Sequence, residues 1–307
     1  MREKDFISEI KNVLDSKYIG DDCANLKDLG IVITQDSLVE GVHFRLDWIT
    51  PYELGYKSVM VNISDIASSG AESKYLTIAL SLPAYIDKDF VNEFYKGAKA
   101  ATGGGVEIVG GDITGSDKIF ISVCAIGLTQ GRNISSRKNA KAGYKVVVKG
   151  LHGSSGAGLN LLMNNKSTPD KFVKAHLMPE AQIDFGSYIG KTVKENYAMM
   201  DTSDGLMDAL STIAAESGVL LSIDFDKIPY DKDIEQFVNF QELILFGGED
   251  YGIVAVIPQD YEDFGGVVIG EAKIGSGIEL KCGNKTVYYS KTDVENKIFN
   301  HFNLEEK

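Results

Sequence analysis

The chain has 307 residues, of which 44% are hydrophobic and 24% charged, as is typical of a soluble globular enzyme with two domains. Its 44 acidic and 31 basic residues give a formal net charge of −13, which disfavours nucleic acid and anionic membranes as partners. The sequence predicts no membrane span, because no apolar run reaches about 18 residues. The three cysteines show no paired spacing, so we expect no disulfide or zinc framework and a cytoplasmic protein.

Helical and strand patterns alternate along the chain. Pro51 begins a long helical pattern that ends at Gly70, and its apolar positions Val59, Ile63 and Ile66 recur at helical spacing. The other predicted helices are 5–14, 87–101 and 204–217, and the predicted strands are 31–34, 75–82, 106–109, 119–128, 145–149, 220–223, 253–257 and 267–269. This alternation predicts an α/β or α+β fold.

The polar stretch 129–143 has no clear periodicity and marks the predicted domain boundary. We therefore expect an N-terminal domain over 1–138 and a C-terminal α/β domain over 139–307. In the second domain, 153–158 is rich in glycine and serine and is predicted as a loop before a helix.

Acidic residues beside Gly, Ser or Thr recur at six places in the sequence. They are Gly20-Asp21-Asp22, Thr34-Gln35-Asp36, Ser64-Asp65, Gly110-Gly111-Asp112, Asp201-Thr202-Ser203-Asp204-Gly205 and Gly247-Gly248-Glu249-Asp250. One such group is most often a turn, but six are difficult to explain as turns alone. Asp36 is expected at the end of a strand and Asp112 just beyond another, where α/β proteins place their sites. Asp65 lies on the polar stripe of the long helix.

This acidic pattern favours phosphate chemistry with bound metal. Mg²⁺ prefers oxygen ligands and is held by a few carboxylates together with substrate phosphates. Neighbouring glycines allow the backbone to approach phosphate closely. A glycosidase would need only two carboxylates, and the sequence has no G-x-x-x-x-G-K-[ST] phosphate loop. Among the histidines, His43 has either a ligand role or a structural role, and the residues alone leave this choice open.

Several motifs, in order along the chain, resemble those of the thiamine-monophosphate kinases, a branch of the aminoimidazole ribonucleotide synthetase-like superfamily. They are GDDCA (20–24), TQDSLVEGVHF (34–44), YKSVMVNISDIASSGA (56–71), IVGGDITG (108–115), MDTSDGLMDAL (200–210) and FGGEDYGIV (246–254), with a weaker similarity in FNHF (299–302). The resemblance implies a two-domain fold with an N-terminal dimerising sheet domain, a homodimer, and ATP between the halves. It also implies transfer of phosphate from ATP to thiamine monophosphate, the last step of thiamine diphosphate biosynthesis.

The resemblance also implies roles for individual residues. The implied magnesium ligands are Asp22, Thr34, Gln35, Asp36, Asp65, Asp112, Asp201 and Asp204. The implied contacts to ATP are Gly111, Asp112, Arg137 and Ser203, and those to thiamine monophosphate are His43, Glu249 and Phe299. Gln35 departs from the family, which usually has Thr or Ser there.

The resemblance suggests a direct, metal-assisted transfer that needs no catalytic base or nucleophile. Two alternatives stay open at this point. One is another ATP-dependent enzyme of the same superfamily with a different acceptor. The other is a catalytically inactive nucleotide-binding protein.

Overall fold

The structure, a computed structural model, describes residues 3–300. Its first half contains three helices and five strands: α1 (Glu3–Leu14), β1 (Ala24–Leu26), β2 (Ile31–Val39), α2 (Pro51–Ser69), β3 (Glu72–Leu82), α3 (Lys88–Ala101), β4 (Glu107–Gly115) and β5 (Phe120–Leu128). The strands form one sheet in the order β1-β2-β5-β3-β4, which leaves β4 at an edge. Within the described residues, no helix is long and apolar enough to cross a membrane.

The two faces of this five-stranded sheet differ in their cover. Helix α2 packs on one face, with α3 against it in the same core, and Ile78, Ile121 and Val123 are fully buried there. Because side chains alternate along a strand, the neighbouring residues point the other way. We call this second surface the open face; it carries the half-buried or exposed side chains Gln35, Ser37, Ser122, Cys124, Thr77 and Ala79.

Helix α2 lies at the centre of the molecule. Thr50 and Glu53 form a capping box at its start, Pro51 is its first residue, and Gly70 ends it with φ of 85°. The helix is buried along most of its length and contacts α3, β2 and β5 of the first half. It also contacts elements of the second half of the chain. The polar side chains of α2 are therefore held within the protein, where their positions are fixed by packing on both sides.

The second half builds a larger sheet. Its elements are β6 (Lys145–Lys149), α4 (Ser154–Met163), α5 (Asp170–Leu177), α6 (Ile183–Thr192), β7 (Ala198–Asp201), α7 (Leu206–Ser217), β8 (Val219–Asp224), α8 (Phe240–Phe246), β9 (Ile253–Ile257), β10 (Val267–Ile274), β11 (Gly277–Cys282), β12 (Lys285–Tyr289) and α9 (Lys291–Glu295). The seven strands follow the order β12-β11-β8-β10-β6-β9-β7. Strand β7, at one edge, contacts α2 and ends at Asp201.

The mixed α/β fold with two sheets confirms the predicted class. Helix α2 and strands β6 and β9 have the predicted bounds. Two local predictions are wrong. Residues 154–158 begin α4 instead of forming a loop, since small residues pack closely there: a Cβ on Gly158 would lie 2.0 Å from the Phe172 carbonyl oxygen. Strand β2 continues to Val39, so Asp36 lies inside the strand. The domain boundary at 138/139 stays a prediction.

Candidate active site

Four aspartates from four elements converge where α2 meets both halves of the chain. Asp22 precedes β1, Asp36 is on β2, Asp65 is on α2 and Asp201 ends β7. They are close enough for their charges to act on one another: burial raises the pKa of Asp65 well above its ordinary value, and the charges of Asp36, Asp201 and Asp22 raise it further. We call these four residues the acidic cluster. The structure thus brings together four of the residues that the family resemblance implies as magnesium ligands.

Hydrogen bonds fix the orientation of the cluster. Thr34 Oγ1 donates to Asp65 Oδ2 at 2.6 Å, so Thr34 also borders the cluster. The Asp36 backbone N–H donates to Asn62 Oδ1 on α2 at 2.9 Å. Ser64 Oγ donates to Asp201 Oδ2 at 2.7 Å. Helix α2 therefore provides one carboxylate of the cluster, and its Asn62 and Ser64 side chains hydrogen-bond to two other residues of the cluster.

Arg137 is the cation at the cluster. Its guanidinium forms an ion pair with Asp22, and the two side chains are only 20% and 4% exposed. The Arg137 backbone N–H also donates to Asp21 Oδ1 at 2.8 Å, which anchors the connecting segment between the two sheets. Asp22 is further bonded by the Ser68 hydroxyl of α2. A buried arginine fork suits both carboxylate and phosphate, and here it lies beside the carboxylates that the sequence predicts as metal ligands.

Three carboxyl groups of the cluster, those of Asp36, Asp65 and Asp201, have raised pKa values. Burial, followed by the charge of Asp22, raises the pKa of Asp36 to about 6. Burial and Asp22 also raise the pKa of Asp201 to about 7. Both effects disfavour the charged form of the carboxylate. The cluster therefore holds protons near neutral pH unless a cation compensates its charge.

The donor set suits a hard divalent cation. Carboxylate and hydroxyl oxygens are the ligands that Mg²⁺ prefers, and it usually retains several waters beside one or two carboxylates. Across residues 3–300, no three acidic, histidine or cysteine side chains form a ready metal cage.

A cavity of about 420 Å³ lies beside the cluster. Its wall includes Arg137, Ser203, Asp204 and Phe299, which the sequence predicted as contacts to metal or ligand. Ser203 Oγ donates to Asp201 Oδ1 at 2.8 Å, linking the cavity to the cluster. Although the Asp204 side chain opens to the cavity, the surrounding protein removes part of its hydration, and this desolvation together with the charge of Asp208 raises its pKa to about 7.

The cavity also contains polar groups that the sequence analysis missed. Lys4 of α1 forms an ion pair of 2.6 Å with the buried Asp208 of α7. Asp208 Oδ2 and Thr212 Oγ1 are buried and make no hydrogen bond with the described residues. Both side chains line the cavity, so they could bond to a ligand there. The regular helical pattern around them marked α7 but gave no sign of this role.

A second polar group surrounds Glu249. Lys57 Nζ of α2 lies 3.1 Å from Glu249 Oε2. Burial alone would raise the pKa of Glu249, but the Lys57 charge and then His176 outweigh it, and the pKa lies below its ordinary value. His43 also lowers this pKa, so it lies near Glu249. His43 and Glu249, both predicted to contact substrate, are therefore within electrostatic range of each other.

Three predicted residues lie apart from the cluster within one chain. Asp112 on β4 is exposed, and its pairing with Ala79 places it on the open face, opposite to Asp36. The Gln35 side chain is also on the open face, where Nε2 donates to Ser122 Oγ at 3.0 Å. Gly111 lies against β3, and a Cβ there would be 1.8 Å from the Ile78 carbonyl oxygen. This contact gives Gly111 a structural reason to be glycine. The prediction that Asp112 follows a strand is wrong, since β4 includes it.

The C-terminal motif FNHF (299–302) is only partly described. Phe299 is 62% exposed at the cavity wall. His301 and Phe302, which complete the FNHF similarity, lie outside the described residues.

Comparisons with known proteins agree on one family. Residues 20–129 match the family model "AIR synthase related protein, N-terminal domain". The chain is 37% identical to thiamine-monophosphate kinase of Aquifex aeolicus (strain VF5) over 266 residues, which cover 83% of this chain and 85% of the relative. It is 31% identical to the enzyme of that name from Bacillus subtilis (strain 168), with 88% of each chain covered. A solved structure of AaThiL complexed with AMPPCP and TMP has a TM-score of 0.84 and 35% identity, and covers 94% of this chain and 97% of that chain.

Proposed function

The chain belongs to the thiamine-monophosphate kinase family, and we propose that the acidic cluster and the adjoining cavity are the place where it performs the reaction. The protein is a kinase that uses ATP to phosphorylate thiamine monophosphate to thiamine diphosphate. The observation that supports this location best is the convergence of Asp22, Asp36, Asp65 and Asp201 beside Arg137 and the cavity. This arrangement would put anionic metal ligands next to a fixed cation for phosphate.

We assign the acidic cluster as the magnesium site. Asp22, Asp36, Asp65 and Asp201 would hold the ions, with Thr34 beside them and Asp204 at the cavity wall. Bound Mg²⁺ would neutralise the repulsion between ATP and the phosphorylated acceptor and stabilise charge on the transferring group. The raised pKa values of Asp36 and Asp201 support this assignment, because a bound cation would offset the burial and charge repulsion that disfavour their ionised forms.

The chain's own residues then bind and orient the reactants. Arg137 would contact the phosphates of ATP with its guanidinium, and Ser203 would contact the same chain of phosphates from the start of α7. The acceptor is a phosphate oxygen, and the second pKa of a phosphate monoester is about 6, so it is already ionised near neutral pH. Transfer can therefore be direct and in line, without a protein base and without a phosphorylated enzyme.

We place recognition of thiamine at the other side of the cluster. Glu249 offers a carboxylate and His43 an imidazole there. Phe299, the third residue proposed to contact the substrate, lies instead on the cavity wall with Arg137 and Ser203. Thiamine carries a permanently cationic ring, which a carboxylate would attract. With its thiamine end held by Glu249 and His43, the substrate would reach the acidic cluster with its phosphate aligned to ATP. Such alignment is a large part of catalysis in a reaction between two bound molecules.

We propose a homodimer that uses the open face. This surface of the sheet carries partly buried side chains that no other element covers in the described part of one chain. Asp112 and Gln35 lie on it and are separated from Asp36 by the sheet itself. A second chain on this face would bring Asp112 and Gln35 to the dimer interface, where they could act as additional metal ligands.

The free cysteines, one of them on the open face, agree with a reducing cytoplasm.

Turnover with defined acceptors tests this assignment. ADP release is measured in a coupled assay with thiamine monophosphate, with aminoimidazole precursors and with selenide. We expect turnover with thiamine monophosphate only, loss in EDTA and recovery with Mg²⁺. Robust activity in excess chelator would contradict the magnesium site. Activity with another acceptor alone would indicate a different enzyme of the superfamily, and no turnover with any would indicate an inactive nucleotide-binding protein.

A further inference from the structure

Lys57 is a buried cation that the family motifs did not single out as functional. Its side chain is 1% exposed, on the part of α2 that faces the second half of the chain. Nζ donates to the His176 carbonyl oxygen at 3.0 Å and to Glu249 Oε2 at 3.1 Å. Within the described residues, Glu249 is the only carboxylate with which Lys57 forms an ion pair. A buried lysine needs such a partner, because a charge without one is strongly disfavoured inside a protein.

The loop that carries Glu249 is fixed from the opposite side as well. Asp250 Oδ1 accepts the Ser155 N–H at 2.8 Å, and Oδ2 accepts the Gly153 N–H at 2.5 Å, which anchors the loop to the start of α4. His176 Nδ1 lies 3.3 Å from Glu249 Oε2 and 3.0 Å from Ser155 Oγ. Lys57 Nζ and His176 Nδ1 therefore both lie within 3.3 Å of the same oxygen of Glu249.

The other oxygen of Glu249 has a different environment. Oε1 makes no hydrogen bond with any residue of the described part of the chain, and the side chain is 25% exposed. Glu249 itself has φ of 64°, a conformation that non-glycine residues adopt infrequently. An unusual backbone conformation, an anchored loop and one occupied oxygen together direct Oε1 outward.

We propose that Lys57 is a positioning residue, which holds Glu249 Oε2 so that Oε1 faces the thiamine end of the substrate. This inference rests on the proposed function of Glu249 as a contact to thiamine monophosphate. Lys57 lies eight residues before Asp65 on the same helix, which is about 12 Å along the helix axis at 1.5 Å per residue. One rigid, buried helix thus carries both a member of the acidic cluster and the cation that orients the recognition carboxylate.

This arrangement gives α2 a specific task. The acceptor phosphate must lie at the acidic cluster while the cationic ring lies at Glu249. The separation of these two points is set by the helix rather than by the loop. A substrate of the wrong length could satisfy one end only, so the helix would select for the length of thiamine monophosphate.

Three variants test the proposal: Lys57→Met, Glu249→Gln and the double variant. We measure KM for thiamine monophosphate, KM for ATP and kcat in saturating Mg²⁺. Lys57→Met should raise KM for thiamine monophosphate about tenfold or more, because a partner of a buried charge pair is lost, while KM for ATP stays within about twofold. The matched control is Lys96→Met, which removes an exposed lysine paired with Glu93 at 2.6 Å and should change neither constant.

The double variant separates positioning from folding. The double variant removes both charges, so it should fold. It should do so even if Lys57→Met, which leaves the Glu249 carboxylate without its cation, does not fold. If Lys57 acts through Glu249, the double variant should have the same KM for thiamine monophosphate as Glu249→Gln alone. Effects that multiply in the double variant, or equal increases in KM for both substrates with Lys57→Met, would overturn the proposal. Absence of thiamine monophosphate turnover in the unmodified protein would instead contradict the proposed function.

Discussion

Asp201→Asn should make the metal-free protein more stable at alkaline pH. Asp201 is 1% exposed, and the pKa of its carboxyl in the folded protein is about 7, against an ordinary value of 3.8. The folded state therefore binds the proton more tightly than the unfolded state does. As pH rises above 3.8, the unfolded chain ionises first, so the free energy of unfolding falls until pH passes about 7. Asparagine has no proton to lose and removes this dependence.

The magnitude follows from the two pKa values. A pKa difference of one unit corresponds to about 1.4 kcal/mol, so the full difference between 3.8 and about 7 makes the ionised state about 4 kcal/mol less favourable. Roughly half of this penalty already applies at pH 5.5. The variant should therefore gain about 2 kcal/mol relative to the unmodified protein between pH 5.5 and 8. Because the cluster shares its protons, the gain belongs to the group of carboxylates rather than to one of them.

The asparagine can retain the local hydrogen bonds. Ser203 Oγ lies 2.8 Å from Asp201 Oδ1 and can still donate to the Oδ1 of asparagine. Ser64 Oγ lies 2.7 Å from Asp201 Oδ2, and its hydroxyl can rotate to accept from the new amide. The effect should thus report charge rather than lost packing. Asp117→Asn, on an exposed loop residue, is the control and should follow the unmodified protein at every pH.

Urea unfolding in EDTA at several pH values between 5 and 8.5 measures this effect. If the free energy of unfolding varied with pH in the same way for Asp201→Asn and the unmodified protein, the reasoning would be refuted. Asp201 would then be ionised throughout this pH range, or its pKa would be the same in the folded and unfolded states. Repeating the series in Mg²⁺ adds a second observation. The ion should stabilise the unmodified protein more at pH 8 than at pH 5.5, and Asp201→Asn should lose most of that difference.

Three further predictions concern the reaction. Asp36→Asn should lower kcat/KM for thiamine monophosphate about 100-fold by removing a charge at the transferring phosphate, and a loss below threefold in a steady-state assay would be inconsistent with ligation by Asp36. Arg137→Lys should raise KM for ATP about tenfold, because lysine lacks the planar fork of arginine, which pairs with Asp22 here. An unchanged KM for ATP would indicate that Arg137 contributes to folding only. Gln35→Thr should shift the Mg²⁺ concentration for half-maximal rate by no more than about tenfold, since its side chain bonds Ser122 on the open face; an inactive parent rescued by Gln35→Thr would show that this position disables the site.

Helix α2 shows what a sequence can predict well. Its signals are local: Pro51 fits the first turn, Gly70 fits the left-handed end, and the apolar positions repeat at helical spacing. The acidic cluster was also predicted, although for a different reason. Six acidic motifs in order identified the family, and the family resemblance pointed to residues that four separate elements then bring together.

The sequence did not predict the strand positions and sheet faces of Asp36, Gln35 and Asp112. The number of residues in β2 is set by its pairing with β5 from Phe120 to Leu128, and no local signal at Asp36 reveals a partner about 90 residues away. The face that each side chain occupies depends on the register of that pairing. Sequence motifs therefore grouped Gln35 and Asp112 with Asp36, while the sheet places them on opposite faces.

Lys57 was missed for a related reason. In the sequence it is one lysine on a mostly apolar helix, and its partner Glu249 is 192 residues away. Its buried position depends on contacts between α2 and the second half of the chain. Local patterns cannot show that a charge is buried, because burial is produced by elements that meet only in the folded protein.

A single physical requirement connects these features of α2. On the proposed function, two polyanions meet in one site and the acidic cluster would bind cations between them, while its charge destabilises the fold whenever those cations are absent. The destabilisation is limited by protonation of Asp36 and Asp201 and by the buried pair of Arg137 with Asp22. Helix α2 can hold such a cluster because its apolar positions are packed between two sheets. The stability of the central helix therefore compensates for an active site that is unfavourable until its ligands bind.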